Sequence, residues 1–140
     1  MLILKKELFD QIISQSRKEF PNEACGILAG KGGKVNGERS RTVEKVYEMS
    51  NTDASPSTFF MEAKEQLKVM KEIRNSDIQM IGIYHSHVAS QAYPSEKDVE
   101  LAFYPESSYV IISLKERDNP NIRSFNIKGN NIREEEIIIA

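Results

Sequence analysis

The chain has two histidines, and both fall in one tripeptide, His85-Ser86-His87. On an extended strand, side chains two apart point to the same face, so both imidazoles can reach one point in space. Asp98 follows in Pro94-Ser-Glu-Lys-Asp98, in the first turn of a helix that opens at Ser95. The loop between can return its carboxylate to the strand end. Two imidazoles and a carboxylate suit a tetrahedral divalent metal and leave a fourth position open, the pattern of catalytic rather than structural zinc.

Each residue also has a plainer reading. A lone histidine is usually structural. Ser-X-X-Asp is close to a capping box, in which Ser95 caps the helix and Asp98 reaches back to the cap amide. The pairing of both histidines at the carboxyl end of an apolar strand favours ligation, because that is where open α/β sheets hold their sites. Asp98 then reads as a ligand and Ser95 as an active-site hydroxyl, with capping compatible with both. Glu23 precedes the apolar run 24–30. It matters only if two strands bring it beside the histidines, where a carboxylate can act as general base. Cys25 reads as a core thiol, since no further histidine is available to activate it.

The elements that must position these residues alternate between helical and extended patterns. Residues 5–20 carry Leu8, Phe9, Ile12 and Ile13 at helical spacing. A buried strand spans 24–30, a glycine-rich hairpin or loop tip 31–41, and a strand 42–49. Ser57 or Thr58 is a candidate cap for a second helix running to about Arg74, with Phe60, Ala63, Leu67, Met70 and Ile73 on its apolar face. The histidine strand follows, then a helix from Ser95 to about Phe103 and a strong strand at 108–114. A strand at 122–127 and a final strand over 136–139 close the chain as a late antiparallel run. This predicts an α/β fold, a mixed sheet flanked by helices.

Length and composition set bounds. The 140 residues suit one domain spanning 1–140, able to bury about two-thirds of the unfolded surface. A hydrophobic share of 39% with 29% charged residues is that of a soluble globular protein. A net charge of -2 gives no reason to expect nucleic acid or an anionic membrane as partner. One cysteine excludes an internal disulfide and fits a reducing compartment. The amino terminus reads as neither signal peptide nor membrane span, so a cytoplasmic location is expected.

Taken together, Glu23-Ala-Cys-Gly26, His85-Ser-His87, Ser95 and Asp98 resemble the JAMM (MPN-plus) metalloprotease motif, and the element order extends the resemblance along the whole chain. The resemblance implies a cytidine-deaminase-like α/β/α fold and cleavage of amide bonds next to the C-terminal Gly-Gly tail of ubiquitin-like proteins. It implies one zinc ion held by His85, His87 and Asp98, with Glu23 as acid/base and Ser95 as oxyanion-binding hydroxyl. Gln91-Ala-Tyr-Pro-Ser95, Ser108-Tyr-Val-Ile-Ile-Ser113 and Ile122-Arg-Ser-Phe125 are similar to bacterial members that free cysteine from a ubiquitin-like sulfur-carrier protein. Phe59, Phe60 and Tyr93 are candidates to line a groove for the carrier's tail, and equally candidates for core or loop anchors. Val88 stands where many members have proline or threonine. A broader isopeptidase of ubiquitin-like conjugates and a non-catalytic binding module are the competing functions. A zinc deaminase is excluded by the missing Pro-Cys-X-X-Cys.

Overall fold

In the computed structural model, which describes residues 1–140, the elements are β1 (Leu2–Leu4), α1 (Lys6–Glu19), β2 (Cys25–Val35), β3 (Glu38–Met49), α2 (Ala63–Arg74), β4 (Gln79–His87), α3 (Glu96–Glu100), β5 (Ser108–Ser113), β6 (Asn121–Lys128), β7 (Asn131–Glu135) and β8 (Ile137–Ile139). The strands form one mixed sheet in the order β7-β6-β5-β4-β2-β3-β1-β8. β4 runs parallel to β5, and β1 parallel to both β3 and β8; the other neighbours are antiparallel. Alternation along the central strands splits the core in two. Leu28, Val46, Tyr84, Val110 and Ile112 pack with Ile12 and Ile13 of α1. Cys25, Ile27, Ile83, Ile111 and Phe125 pack with Val69 and Ile73 of α2, and Val99 of α3 joins this side. The α/β/α layering is as expected.

Several boundaries differ from the sequence reading, each for a local reason. The glycine-rich stretch extends the ladder: β2 and β3 pair from Cys25↔Met49 out to Val35↔Glu38. Asn36 and Gly37 close that hairpin, both at positive φ, the turn whose twist matches the strands. Leu2–Leu4, three residues long, is too short to show a period, yet it pairs on both sides. α2 begins at Ala63, capped by the Glu62 carboxylate, which accepts from the Glu65 amide. Ser57 and Thr58 are therefore not the cap, and Phe60 lies outside the helix. The buried face turns toward Val69 and Ile73, leaving Leu67 58% exposed. α3 ends at Glu100 rather than Phe103. The final extended stretch divides into β7 and β8.

That division reshapes the sheet. Only Glu136 separates β7 from β8, yet the two strands occupy opposite ends of the strand order. The sheet therefore rolls until its edges meet. At the seam the Glu136 carbonyl accepts from the Leu2 amide at 2.9 Å. Glu135 accepts from Ser108, from Ser124 at 2.8 Å and from the Arg41 guanidinium. Arg41 also donates to the Ile81 and Glu106 carbonyls. A buried ion pair is costly unless its remaining hydrogen bonds are satisfied, and here they are. Ile81 and Ser108 lie toward the amino ends of β4 and β5, so this knot sits at the far end of the strands that carry His87.

At the middle of the sheet, Gly26 faces Tyr84 across the β2–β4 ladder. A Cβ on Gly26 would lie 2.3 Å from the Tyr84 ring. The buried ring crosses the glycine and its hydroxyl donates to Gln15 of α1, whose amide donates to the Cys25 carbonyl at 3.0 Å. One glycine thus lets the tyrosine next to His85 tie α1 to the sheet. Gly26→Ala should destabilise by about 1–3 kcal/mol, the usual range for overpacking. Denaturant unfolding checks this, and a variant as stable as the wild type would show that the ring has room to move.

Candidate active site

β4 delivers both histidines to the face shared with α2 and α3, and both are buried. Their Nε2 atoms stand 3.1 Å apart. Asp98 Oδ2 is 3.1 Å from His85 Nε2 and 3.0 Å from His87 Nε2. Four ligands held at about 2.0–2.1 Å by a tetrahedral zinc stand about 3.3 Å from one another. The three donors therefore already form one face of such a tetrahedron, and a divalent ion fits them with little movement.

The capping box and this convergence coexist. Ser95 Oγ accepts from the Asp98 amide at 3.1 Å, and Asp98 Oδ2 accepts from the Ser95 amide at 2.9 Å. The cap holds the carboxylate at the histidines instead of competing for it. Because Ser95 caps through a lone pair, its hydroxyl proton remains free to donate.

Two contacts orient the rings. His87 Nδ1 lies 2.9 Å from the Gln91 carbonyl. Only a protonated Nδ1 can donate to a carbonyl, so this bond pins the ring and leaves Nε2 as the nitrogen that faces the cluster and that a metal would take. His85 stacks on Phe59, with ring centroids 4.5 Å apart. Its Nδ1 is buried without a partner.

Glu23 arrives from outside the ladder, since β2 begins only at Cys25. Ser86, whose side chain faces away from the two imidazoles, latches the segment in place. The Ala24 amide donates to Ser86 Oγ at 2.8 Å, and the Ser86 amide donates to the Ala24 carbonyl at 3.0 Å. Glu23 is 4% exposed, and its Oε1 is buried with no partner. In a packed interior such an oxygen is rare and marks either a proton carrier or a missing ligand.

The site's titrating groups are pushed in opposite directions. Burial lifts the Glu23 carboxyl to about 8; His87 draws it down and Asp98 adds to the rise. Burial would also raise Asp98, but hydrogen bonds from His85 and His87 overcome it and hold that carboxyl far below the usual range. Burial pulls His87 down, yet its bonds to Asp98 and Gln91 leave it above its ordinary value. Burial lowers His85. Two carboxyls of one site are thus shifted in opposite directions, Asp98 toward the anion and Glu23 toward the proton-bearing form. Burial pushes the Cys25 thiol up to about 12, and it packs within the core, as its apolar surroundings suggested.

Beside His85 lies an apolar cavity of about 30 Å3 whose walls include Thr58, Phe59, Leu101 and Tyr109. Of the three aromatic candidates, Phe59 alone reaches this cavity. Phe60 is 55% exposed. Tyr93 lies edge-on to Phe125 of β6, with centroids 5.4 Å apart, and does not touch the cluster. The roles of Gln91, Ser86 and Asn51, whose amide donates to the Glu23 carbonyl at 3.0 Å, were not evident from the sequence. Gln91 acts through its backbone carbonyl, which its side-chain type does not announce, and Ser86 and Asn51 act on backbone distant in the chain, which no spacing signals.

A family of prokaryotic homologues of the JAB domain matches residues 5–128. Over 140 residues the chain is 34% identical to a CysO-cysteine peptidase of Mycobacterium tuberculosis, covering all of this chain and 92% of that one. It is 32% identical to a desampylase of Haloferax volcanii over 117 residues, 80% of each chain. The solution structure of a Desulfitobacterium hafniense protein superimposes with a TM-score of 0.87 at 42% identity, covering 100% of this chain and 93% of that one. The buried His-His-Asp cluster, the carboxyl beside it and these likenesses agree: the chain belongs to the prokaryotic homologues of the JAB domain.

Proposed function

We propose that this protein is a zinc peptidase that hydrolyses the amide bond after the C-terminal Gly-Gly tail of a ubiquitin-like sulfur-carrier protein, releasing cysteine from a carrier–cysteine adduct. The observation that carries this reading is the convergence of three donor atoms at tetrahedral spacing, with the buried, unpartnered carboxyl of Glu23 on the same site. Full-length likeness to a CysO-cysteine peptidase supports the choice of substrate.

His85 Nε2, His87 Nε2 and Asp98 Oδ2 would hold one zinc ion, which when bound acts as a Lewis acid on the scissile carbonyl and acidifies water. Glu23, as the carboxylate, takes the proton from the attacking water, and the acid so formed returns it to the departing amine. Ser95 donates its hydroxyl proton to the developing oxyanion. Losing one such donor costs about 10²–10³ in turnover. Phe59 steadies His85 and walls the small apolar cavity beside it. Phe60 and Tyr93, both exposed, become rim contacts for the incoming tail. No helix is long and apolar enough to cross a membrane.

A broader isopeptidase of ubiquitin-like conjugates is the second reading, favoured by the likeness to a desampylase. Comparing a carrier–cysteine adduct with a carrier–protein conjugate separates the two by mass measurement of the carrier's tail.

Three outcomes follow. Glu23→Gln should bind zinc at wild-type stoichiometry and lose about 10²–10⁴ in turnover. Cleavage at the wild-type rate would remove Glu23 from the chemistry. Asp98→Ala should lower zinc content measured on the purified protein, and full zinc content would leave Asp98 a cap alone. Third, Glu23 holds its proton more tightly folded than unfolded, so between its ordinary 4.5 and about 8 the folded state carries the extra proton. Stability is then present at low pH and lost as pH rises through that window. His87, also raised, acts in the same direction around its own range. In zinc-free protein, Glu23→Gln should therefore gain thermal stability relative to wild type between about pH 5 and about pH 9. A difference independent of pH would mean that Glu23 is ionised in the fold.

A further inference from the structure

We infer that Asn51 is a positioning residue that sets Glu23 against the three donor atoms, an inference that rests on the peptidase reading. Glu23 lies before the first residue of β2, so the sheet ladder does not hold it. Its side chain does not hold itself either, since Oε1 has no partner. Where the carboxyl points is therefore decided by the backbone of Glu23, and both backbone polar groups are gripped by the loop that follows β3. The Glu23 amide donates to the Ser55 carbonyl at 2.8 Å, and the Glu23 carbonyl accepts from Asn51 Nδ2 at 3.0 Å.

Asn51 is the hub of that loop. Its second amide hydrogen goes to the Thr58 carbonyl at 3.0 Å, and its Oδ1 accepts from the Asp53 and Phe60 amides at 3.0 Å each. Two donors and two acceptor sites are the whole capacity of a carboxamide. All four are in use. Asn51 also bridges to Met61, closing the loop at its neck. Within it Ala54 sits at φ +43, a conformation costly for a side chain other than glycine's, at the bend just before the Ser55 carbonyl that receives Glu23. The same loop carries Phe59, stacked on His85. One side chain thus ties the base and the ring that backs a donor histidine into a single unit. The three donors come from β4 and α3, and none of Asn51's side-chain hydrogen bonds goes to either element.

The test compares Asn51→Asp, which keeps the acceptor and loses both donors, with Thr52→Val, which removes a hydroxyl bonded to the Phe60 carbonyl in the same loop. In zinc-free protein, amide exchange at Glu23 should accelerate at least tenfold in Asn51→Asp and stay at the wild-type rate in Thr52→Val. Zinc affinity should remain within about threefold in both. Turnover of a carrier–cysteine adduct should fall about 10–100-fold in Asn51→Asp with KM little changed. Unchanged exchange at Glu23, unchanged turnover, or loss of zinc in step with turnover overturns the inference. An equal loss in Thr52→Val also overturns it, because the loop would then act only through stability. Wild-type turnover tests the peptidase reading on its own, and the exchange measurement reads the Glu23 clamp whether or not the wild type is active.

Discussion

The register between β2 and β4 is the constraint on which the site depends. Cys25 stands opposite His85 and Gly26 opposite Tyr84. Strand side chains alternate, so a slip of one residue would turn both imidazoles toward α1 and bring Tyr84 to the cluster. The register is secured by shape as much as by hydrogen bonds. Only a glycine opposite Tyr84 lets the ring lie down across β2, and only in that pose does its hydroxyl reach Gln15. Beyond the end of the ladder, the paired contacts between Ala24 and Ser86 extend the same alignment to Glu23.

Two carboxyls treated oppositely by one environment give the site its chemical character. Asp98 receives hydrogen bonds from both imidazoles and from the Ser95 amide, so its negative charge is compensated on every side. Glu23 receives none at Oε1 and meets mainly the cost of burial. The difference arises from position in the chain. Asp98 sits inside a helical first turn that supplies amides, whereas Glu23 sits between elements, where only its backbone finds partners.

The sequence revealed the parts of this arrangement that have a period or a short spacing. His85 and His87 two apart on an apolar strand, and Ser95 with Asp98 three apart, could be read directly, and the capping box proved to be the means of placing Asp98. The α/β/α layering was legible from the alternation of helical and extended patterns. What could not be read is what depends on long-range pairing. β1 and β8 are three residues each, and nothing local says that they meet. The buried face of α2 shifted because the helix starts later than the Phe60–Leu67 spacing suggested. Gln91 contributes through its backbone carbonyl and Asn51 through bonds to the backbone of its loop and of Glu23, neither of which leaves a pattern in composition.

The rolled sheet has a consequence for how the molecule comes together. β1 gains its outer neighbour only from β8, and the Ala140 amide returns to the Leu4 carbonyl at 2.9 Å. Contacts between such distant segments form late, because closing so long a chain segment is entropically slow. The segments that build the cluster, from Glu23 to Asp98, lie wholly between those two strands and pair through nearer neighbours. The seam closes the longest chain loop in the sheet, and no residue of the cluster lies on either strand that forms it.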